Sequence, residues 1–259
     1  MDILMVGCGR MGGAMLGCWS ARKDIRFTVI DPAGPDAPEG VRVLKAPSAL
    51  GSDQFDMIII AVKPQMIEDV MPGYTARLKD DGCMVSIAAG FSLESLKRVL
   101  GNVPVIRVMP NLPALIGKGA TGIYASDDCS SAHKETVSDL MGRIGKAVWV
   151  RSEDELDRLT AVSGSGPGYV FQFIESFMEG AKELGFSDKD ARTLVIQTMV
   201  GATEMAANTD APISELRTSV TSKGGTTQAG LDQLRQDHML DLLMKSTTKA
   251  AYERALELK

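Results

Sequence analysis

Histidine is nearly absent from this chain, with two in 259 residues. His133 and His238 sit in polar, helix-like surroundings with no partner at metal spacing. Both are therefore read as solvent-facing, and neither is offered as an acid, a base or a ligand. The four cysteines, Cys8, Cys18, Cys83 and Cys129, are scattered without a C-x-x-C pair. That spacing gives neither a zinc site nor a disulfide framework, and buried free thiols are the expectation, with no metal in the site. Aromatic residues make up only 5%, and 28 Lys and Arg stand against 33 Asp and Glu. A net charge of −5 leaves no basic footprint for nucleic acid. No apolar run is long enough to span a bilayer, and the chain opens directly in a strand-like segment with no signal-type apolar run. The expectation is a cytoplasmic protein with no membrane partner.

What is present is an ordinary globular composition, 44% hydrophobic and 24% charged, long enough for one large domain or two smaller ones. Methionine is plentiful at 15, mostly among Leu, Ile and Val, which reads as core filling rather than ligation. The first informative stretch is Asp2 to Val6, a short apolar run, followed by Gly7-Cys8-Gly9-Arg10-Met11-Gly12 and a helix-like segment through Trp19. This is strand, G-x-G-x-x-G, helix. Gly7 permits the tight turn, Gly9 lets a pyrophosphate approach the backbone, and Gly12 allows close helix-on-strand packing. Arg10 and Met11 open the helix whose free N–H groups face the phosphates. A second strand, Arg26 to Ile30, ends at Asp31. An acid there accepts the adenosine ribose 2′-OH or, alternatively, caps a turn. No Arg follows to receive a 2′-phosphate, since the next residues are Pro32-Ala33-Gly34-Pro35-Asp36-Ala37-Pro38. The lean is toward NADH over NADPH.

Four further strand-like runs follow, Val41 to Leu44, Met57 to Val62, Met84 to Ala88 and Val103 to Val108. Their alternation with helical segments argues a mostly parallel sheet of Rossmann type, and ligands of such sheets bind beyond the strand ends. Those ends read Ala61-Val62-Lys63-Pro64-Gln65, Ala88-Ala89-Gly90 and Met109-Pro110-Asn111-Leu112-Pro113. Pro64 suits the opening turn of a helix to about Leu78. Lys63 either reaches a cofactor ribose or lies in solvent. The small Ala88-Ala89-Gly90 patch lets a flat ring approach the backbone. Asn111 either forms a turn or contacts the nicotinamide. Strands over Thr121 to Ala125 and Lys146 to Val150, around a helix from about Cys129 to Arg143, complete the sheet.

From about Glu153 the strand signals stop and helical periodicity takes over, which divides the chain into residues 1–152 and 153–259. Ser163-Gly164-Ser165-Gly166-Pro167-Gly168 reads as a sharp break between apolar helices, with N–H groups facing a cofactor or as a plain hinge. Helices are expected over Val170 to Leu184, Asp188 to Ala207 and His238 to Leu258. The first two carry more apolar residues than one face needs, which points to a bundle shared between subunits. The stretch Ser214 to Leu231 is dense in Ser and Thr around Gly224-Gly225. At the start of a helix from about Thr226 it reads as an anion cradle or as a flexible polar loop.

Taken together, these motifs resemble the pyrroline-5-carboxylate reductases over the whole length. The residues that carry the resemblance are the glycine loop, Ala61 to Gln65, Ser86 to Gly90, Arg107 to Ala114, Ala161 to Pro167 and Val220 to Leu231. The resemblance implies reduction of pyrroline-5-carboxylate to L-proline by NADH or NADPH, the last step of proline biosynthesis. It also implies an α/β N-terminal Rossmann-type domain followed by an all-helical C-terminal dimerisation domain, assembled as homodimers or larger oligomers built from them, with the substrate site across the dimer interface. Carried over, Ser222, Gly224, Gly225, Thr226 and Thr227 fall in the family's substrate loop, and Thr227 matches the Thr whose hydroxyl faces the ring nitrogen. Lys223 departs from the pattern, which has Pro there; the loss of that ring leaves the loop more mobile. The readings weighed against this one are reduction of another cyclic imine, a relative of the 3-hydroxyacid dehydrogenases, and a dinucleotide-binding regulatory module. The hydroxyacid enzymes rely on a Lys in the helical domain, whereas the matched loops here are rich in Ser, Thr and Gly.

Overall fold

The computed structural model describes residues 1–258. An eight-stranded sheet runs β1 (Asp2–Val6), β2 (Arg26–Ile30), β3 (Arg42–Leu44), β4 (Phe55–Ile60), β5 (Leu78–Ser86), β6 (Val105–Met109), β7 (Gly119–Ala125) and β8 (Gly145–Trp149). Its spatial order is β3-β2-β1-β4-β5-β6-β7-β8, parallel except where β7 runs against β6. The chain reverses on either side of β1, so β1 and its neighbours form the switch point at which a crevice opens beyond the strand ends.

Burial on both faces explains why these strands read as continuous apolar runs. In β1, Ile3 and Met5 join Met15, Leu16 and Trp19 of α1 (Arg10–Trp19) on one side. Leu4 and Val6 join Ile58, Ile60 and Leu96 on the other. Trp19 fixes the first layer, stacking on Phe27 at 6.2 Å between ring centroids and donating its indole N–H to the Leu140 carbonyl at 2.7 Å. Met5, Met15, Met57, Met71, Met84 and Met141 are buried as core filling, whereas Met205, Met239 and Met244 are exposed.

Several expected elements differ in detail. Instead of one helix from Pro64 to Leu78 there are a 3₁₀ turn Pro64–Met66, a short α2 (Ile67–Val70) and a second 3₁₀ turn Pro72–Arg77. Pro72 removes the N–H that would continue the helix and Gly73 weakens the next turn. The segment from Leu78 is already strand, so β5 begins earlier than its apolar part. After α3 (Leu93–Leu100), α4 (Ser131–Gly142) is capped by Ser130 with His133 in a reciprocal pair. His133 is thus not free: Nδ1 accepts the Ser130 N–H at 3.2 Å, and Nε2 lies 2.8 Å from the Asp81 carbonyl oxygen. His238 is exposed, 3.5 Å from an Asp241 carboxylate oxygen.

The chain divides into two compact units at Ser165 and Gly166, with the segment from Ala251 onward belonging to the first. The expected sharp break is one widened turn, Thr160–Gly164 wound as a π-helix after α5 (Glu153–Leu159), with the Ser165 N–H donating to the Thr160 carbonyl. The second unit is helical: α6 (Gly166–Glu183), α7 (Asp188–Ala207), α8 (Ile213–Ser219), α9 (Thr226–Arg235) and most of α10 (Met239–Glu257). Within it Ala191 and Val195 are buried, while Phe171, Phe173 and Phe177 on α6 and Leu242 and Leu243 on α10 are exposed. No helix among the described residues is long and apolar enough to cross a membrane.

Candidate active site

The carboxyl ends of β1, β2 and β4 meet at one edge, and the glycine loop turns there. Gly7 has φ +87°, and a Cβ on it would stand 2.8 Å from the Ala61 carbonyl oxygen. Only glycine satisfies both conditions. At Gly12 an added Cβ would meet Met5 Sδ at 3.2 Å and Ala61 Cβ at 3.4 Å, so α1 lies directly on the sheet. Gly9 is different: a Cβ there would meet nothing within 4 Å. No contact inside the protein calls for glycine at this position, and the open space lies where a pyrophosphate would rest on the start of α1. Gly9 caps α1 without a side-chain bond, Arg10 is exposed and Met11 half-buried. The residues present therefore fit a dinucleotide.

A cavity of about 540 Å³ opens on this edge, lined by Gly7, Cys8, Gly9, Asp31, Ala61, Val62 and Lys63. Cavities of about 510 and 480 Å³ lie elsewhere, beside Asp128 and beside Asp53. Size does not single out the site; the glycine lining does. Met66, Val70 and Tyr74 also line it and were missed by sequence reading. The signal for them was the four-residue spacing from Met66 to Val70 to Tyr74, one stripe of a helical segment. Pro64 lies just outside, starting its 3₁₀ turn.

Asp31 ties the edge together. One carboxylate oxygen accepts the Cys8 N–H at 2.8 Å and the other the Ala33 N–H at 2.9 Å. The second is the turn-capping bond; the first reaches into the glycine loop. An ionised carboxylate offers about four acceptor sites, which leaves room for a ribose hydroxyl. Burial raises the Cys8 thiol pKa, and the Asp31 charge raises it further.

Ala88, Ala89 and Gly90 follow β5 but do not line this cavity. Ala88 is buried, with its N–H 3.3 Å from Ser86 Oγ, while Ala89 is exposed. A Cβ on Gly90 would lie 2.9 Å from the Leu258 carbonyl oxygen and 3.1 Å from Leu258 Cβ. The small residue thus admits the chain's own last turn, and of the patch Ala89 alone is left exposed to a ring. Asn111 is buried and committed at both ends: Nδ2 donates to the Ser163 carbonyl and Oδ1 accepts the Ala120 N–H, each at 2.9 Å. The reason lies in the sequence. Pro167, four residues after Ser163, has no N–H to offer that carbonyl, and the Asn111 amide takes its place. The structure gives Asn111 a bridging role rather than a place in the glycine-loop cavity. Arg107, buried in β6, pairs with Glu153, which also accepts the Leu93 N–H at 2.7 Å and so caps α3. Sequence reading passed over this pair, because Arg107 sits in an otherwise apolar strand.

Ser222, Gly224, Gly225, Thr226 and Thr227 lie together in the second unit. The Gly225 N–H donates to the Ser222 carbonyl at 3.0 Å, and Gly224 has φ +72°. With Lys223 outside the positive-φ region, this is the pattern of a type II turn, glycine at its third position. Gly225 caps α9 with no side-chain bond, and Thr226 and Thr227, both exposed, are its first residues. Hydroxyls and free N–H groups therefore converge at one helix start, the arrangement an anion needs.

Known proteins match the chain along most of its length. Residues 153–258 match the family model for pyrroline-5-carboxylate reductase dimerisation, and residues 2–90 match one described as NADP oxidoreductase, coenzyme F420-dependent. The chain is 34% identical to a pyrroline-5-carboxylate reductase of Pseudomonas aeruginosa over 264 residues, covering 99% of this chain and 96% of that one. Among solved structures, that of a pyrroline-5-carboxylate reductase from Coxiella burnetii superposes with a TM-score of 0.91 at 30% identity, over 99% of this chain and 98% of the other. The Plasmodium falciparum pyrroline carboxylate reductase, solved with NADP bound, gives 0.85 at 26% identity, over 100% and 98%. A ketol-acid reductoisomerase at 18% identity and a TM-score of 0.65 shares the fold alone. The dimerisation match supports homo-oligomerisation. With near-complete coverage at this identity and the helical half matched throughout, the chain belongs to the pyrroline-5-carboxylate reductase family.

Proposed function

We propose that this enzyme reduces pyrroline-5-carboxylate to L-proline with NADH or NADPH, the closing step of proline biosynthesis. The observation that carries the reading is the coincidence of two helix starts with distinct chemistry on one family-matched chain: a glycine loop open at Gly9, and a hydroxyl-rich turn at Ser222 to Thr227. Reduction of a C=N bond adds a hydride to the imine carbon and a proton to nitrogen. The bound nicotinamide supplies the hydride. Gly7, Gly9, Arg10, Met11 and Gly12 hold the pyrophosphate on the start of α1, and Asp31 takes the adenosine ribose. Ala61, Val62, Lys63 and Pro64 wall the cofactor, with Ala88, Ala89 and Gly90 toward its reactive end; Asn111 acts by holding the β6 end in place.

In the second domain, residues 153–259 against the dinucleotide domain of 1–152, the Ser222 and Thr226 hydroxyls and the N–H groups from Gly224 to Thr227 take the substrate carboxylate. The Thr227 hydroxyl orients the ring nitrogen. Neither histidine belongs to this machinery, so the imine is bound protonated or receives its proton from water or through Thr227. The exposed loop gains its remaining wall from a partner in a homodimer, and the enzyme works in the cytoplasm, in keeping with its four free thiols. The test is to supply racemic pyrroline-5-carboxylate with each cofactor, follow nicotinamide oxidation and identify the product. Proline is expected with at least one cofactor; oxidation without proline, or none with either, overturns the reading.

A further inference from the structure

We infer that Lys45 receives the 2′-phosphate of a phosphorylated dinucleotide, so that the ribose end of the site pairs a cation with the Asp31 carboxylate. The inference rests on the dinucleotide reading above and names a specificity-determining residue within it. None of the residues directly after Asp31 is basic. The sheet supplies a neighbour from elsewhere. β2 and β3 pair in parallel with Ile30 opposite Leu44, and the Asp31 N–H donates to the Leu44 carbonyl at 3.0 Å. Asp31 and Lys45 are the next residues on those two strands, which lie about 4.8 Å apart in any sheet.

The Lys45 side chain is exposed, with its stem lying against a turn. Beyond Asp31 the chain turns, with the Gly34 N–H donating to the Asp31 carbonyl at 3.0 Å. A Cβ on Gly34 would lie 2.7 Å from Lys45 Cε and 3.5 Å from Nζ, so the lysine stem rests on that turn and its ammonium stands beside it. Asp31, Pro32 and, two residues past Lys45, Pro47 all line the cavity. Among the described residues Lys45 has no carboxylate partner, whereas Arg42, at the opening end of β3, is tied to Asp53 at 2.5 Å and to the Ala49 carbonyl at 3.0 Å. A hydroxyl at the ribose 2′ position suits Asp31. A phosphate there is repelled by Asp31 and attracted by Lys45. With one charge of each sign the site discriminates weakly between the two cofactors.

Nucleotide fragments read this without catalysis. Binding of 5′-AMP and of 2′,5′-ADP to the full-length protein is measured by calorimetry for the wild type, Lys45→Met and Lys45→Arg. Lys45→Met keeps the stem and removes the charge. It is expected to weaken 2′,5′-ADP by about five- to tenfold, the scale of one partly screened charge contact, while leaving 5′-AMP within about twofold. Lys45→Arg restores 2′,5′-ADP, and added salt weakens that ligand in the wild type more than in Lys45→Met. Equal weakening of both fragments, or of neither, overturns the assignment while the dinucleotide reading stands. A wild type that binds neither fragment overturns both.

Discussion

The two loops of the candidate site are the same local device in opposite surroundings. Each leads into a helix of ten residues, α1 or α9, and each helix is capped by an extended glycine, Gly9 or Gly225, with no side-chain bond to its first N–H groups. Around the first, the protein closes in: Gly7 touches Ala61, Gly12 touches Met5, and Asp31 reaches in to hold the Cys8 N–H. Around the second it stays away. A Cβ on Gly224 would meet nothing within 4 Å, and Ser222, Thr226 and Thr227 are exposed. A helix start attracts an anion weakly in water and much more strongly once walls exclude solvent. The first loop has its walls within its own unit; at Gly224 the second has none.

The largest test of that contrast substitutes the two left-handed glycines. Gly7→Ala combines a disfavoured φ with a clash against fixed backbone, and is expected to cost about 2–4 kcal/mol of stability and to abolish dinucleotide binding. Gly224→Ala carries the backbone cost alone, about 1 kcal/mol, and acts on substrate KM. Denaturant melts of both variants check this; equal losses would mean that the second loop is packed after all. Next in size is Gly9→Val. Its side chain enters open space within the protein and the space a pyrophosphate needs, so cofactor affinity should fall by about a hundredfold or more with little change in folding stability. A stability loss matching Gly7→Ala would place protein, not ligand, over Gly9.

Thr227→Ala probes the open loop in the same way. Loss of one neutral hydrogen bond to the substrate lowers kcat/KM by about tenfold, and loss of a proton relay by about a hundredfold, while NADH and NADPH affinities stay unchanged. Full efficiency in this variant removes Thr227 from the reaction. At the closed loop, Asp31→Asn removes a charge that raises the Cys8 thiol pKa, though burial is the larger cause. The thiolate then forms at lower pH, and the pH profile of Cys8 alkylation by iodoacetamide moves toward acid. An unmoved midpoint would show that the carboxylate does not act on this thiol.

Most of the closed loop was legible in the sequence because its requirements are local. Strand, glycine spacing and helix follow one another within the stretch from Asp2 to Trp19, and the buried alternation of β1 is visible in its residues. What escaped depends on neighbours distant in sequence. Lys45 stands beside Asp31 only through the register of β2 and β3. Asn111 answers a carbonyl freed by Pro167, across a turn read as a break. Gly90 is small for the sake of Leu258, at the far end of the chain. The open loop was legible in chemistry and in its likeness to a family, but hydroxyl content alone does not say what closes over it.

The smallest expected effect concerns the one departure in that loop, Lys223. It occupies the second position of the turn whose third position, Gly224, has φ +72°. Proline is favoured at that second position of a type II turn because its ring presets φ near −65°. Among the described residues the Lys223 N–H has no backbone acceptor, so proline would forfeit no bond there. Lys223→Pro should therefore act mainly on the unfolded and open-loop states, stabilising the protein by about 0.4–1 kcal/mol. That corresponds to a rise in Tm of roughly 1–4 °C for a chain of this size. Because binding holds the loop in a single conformation, the same restriction should lower substrate KM about twofold with kcat little changed. A KM that rises while Tm rises would mean that the Lys223 charge itself draws the substrate carboxylate; a fall in Tm would mean that the turn is not of the type its glycine indicates.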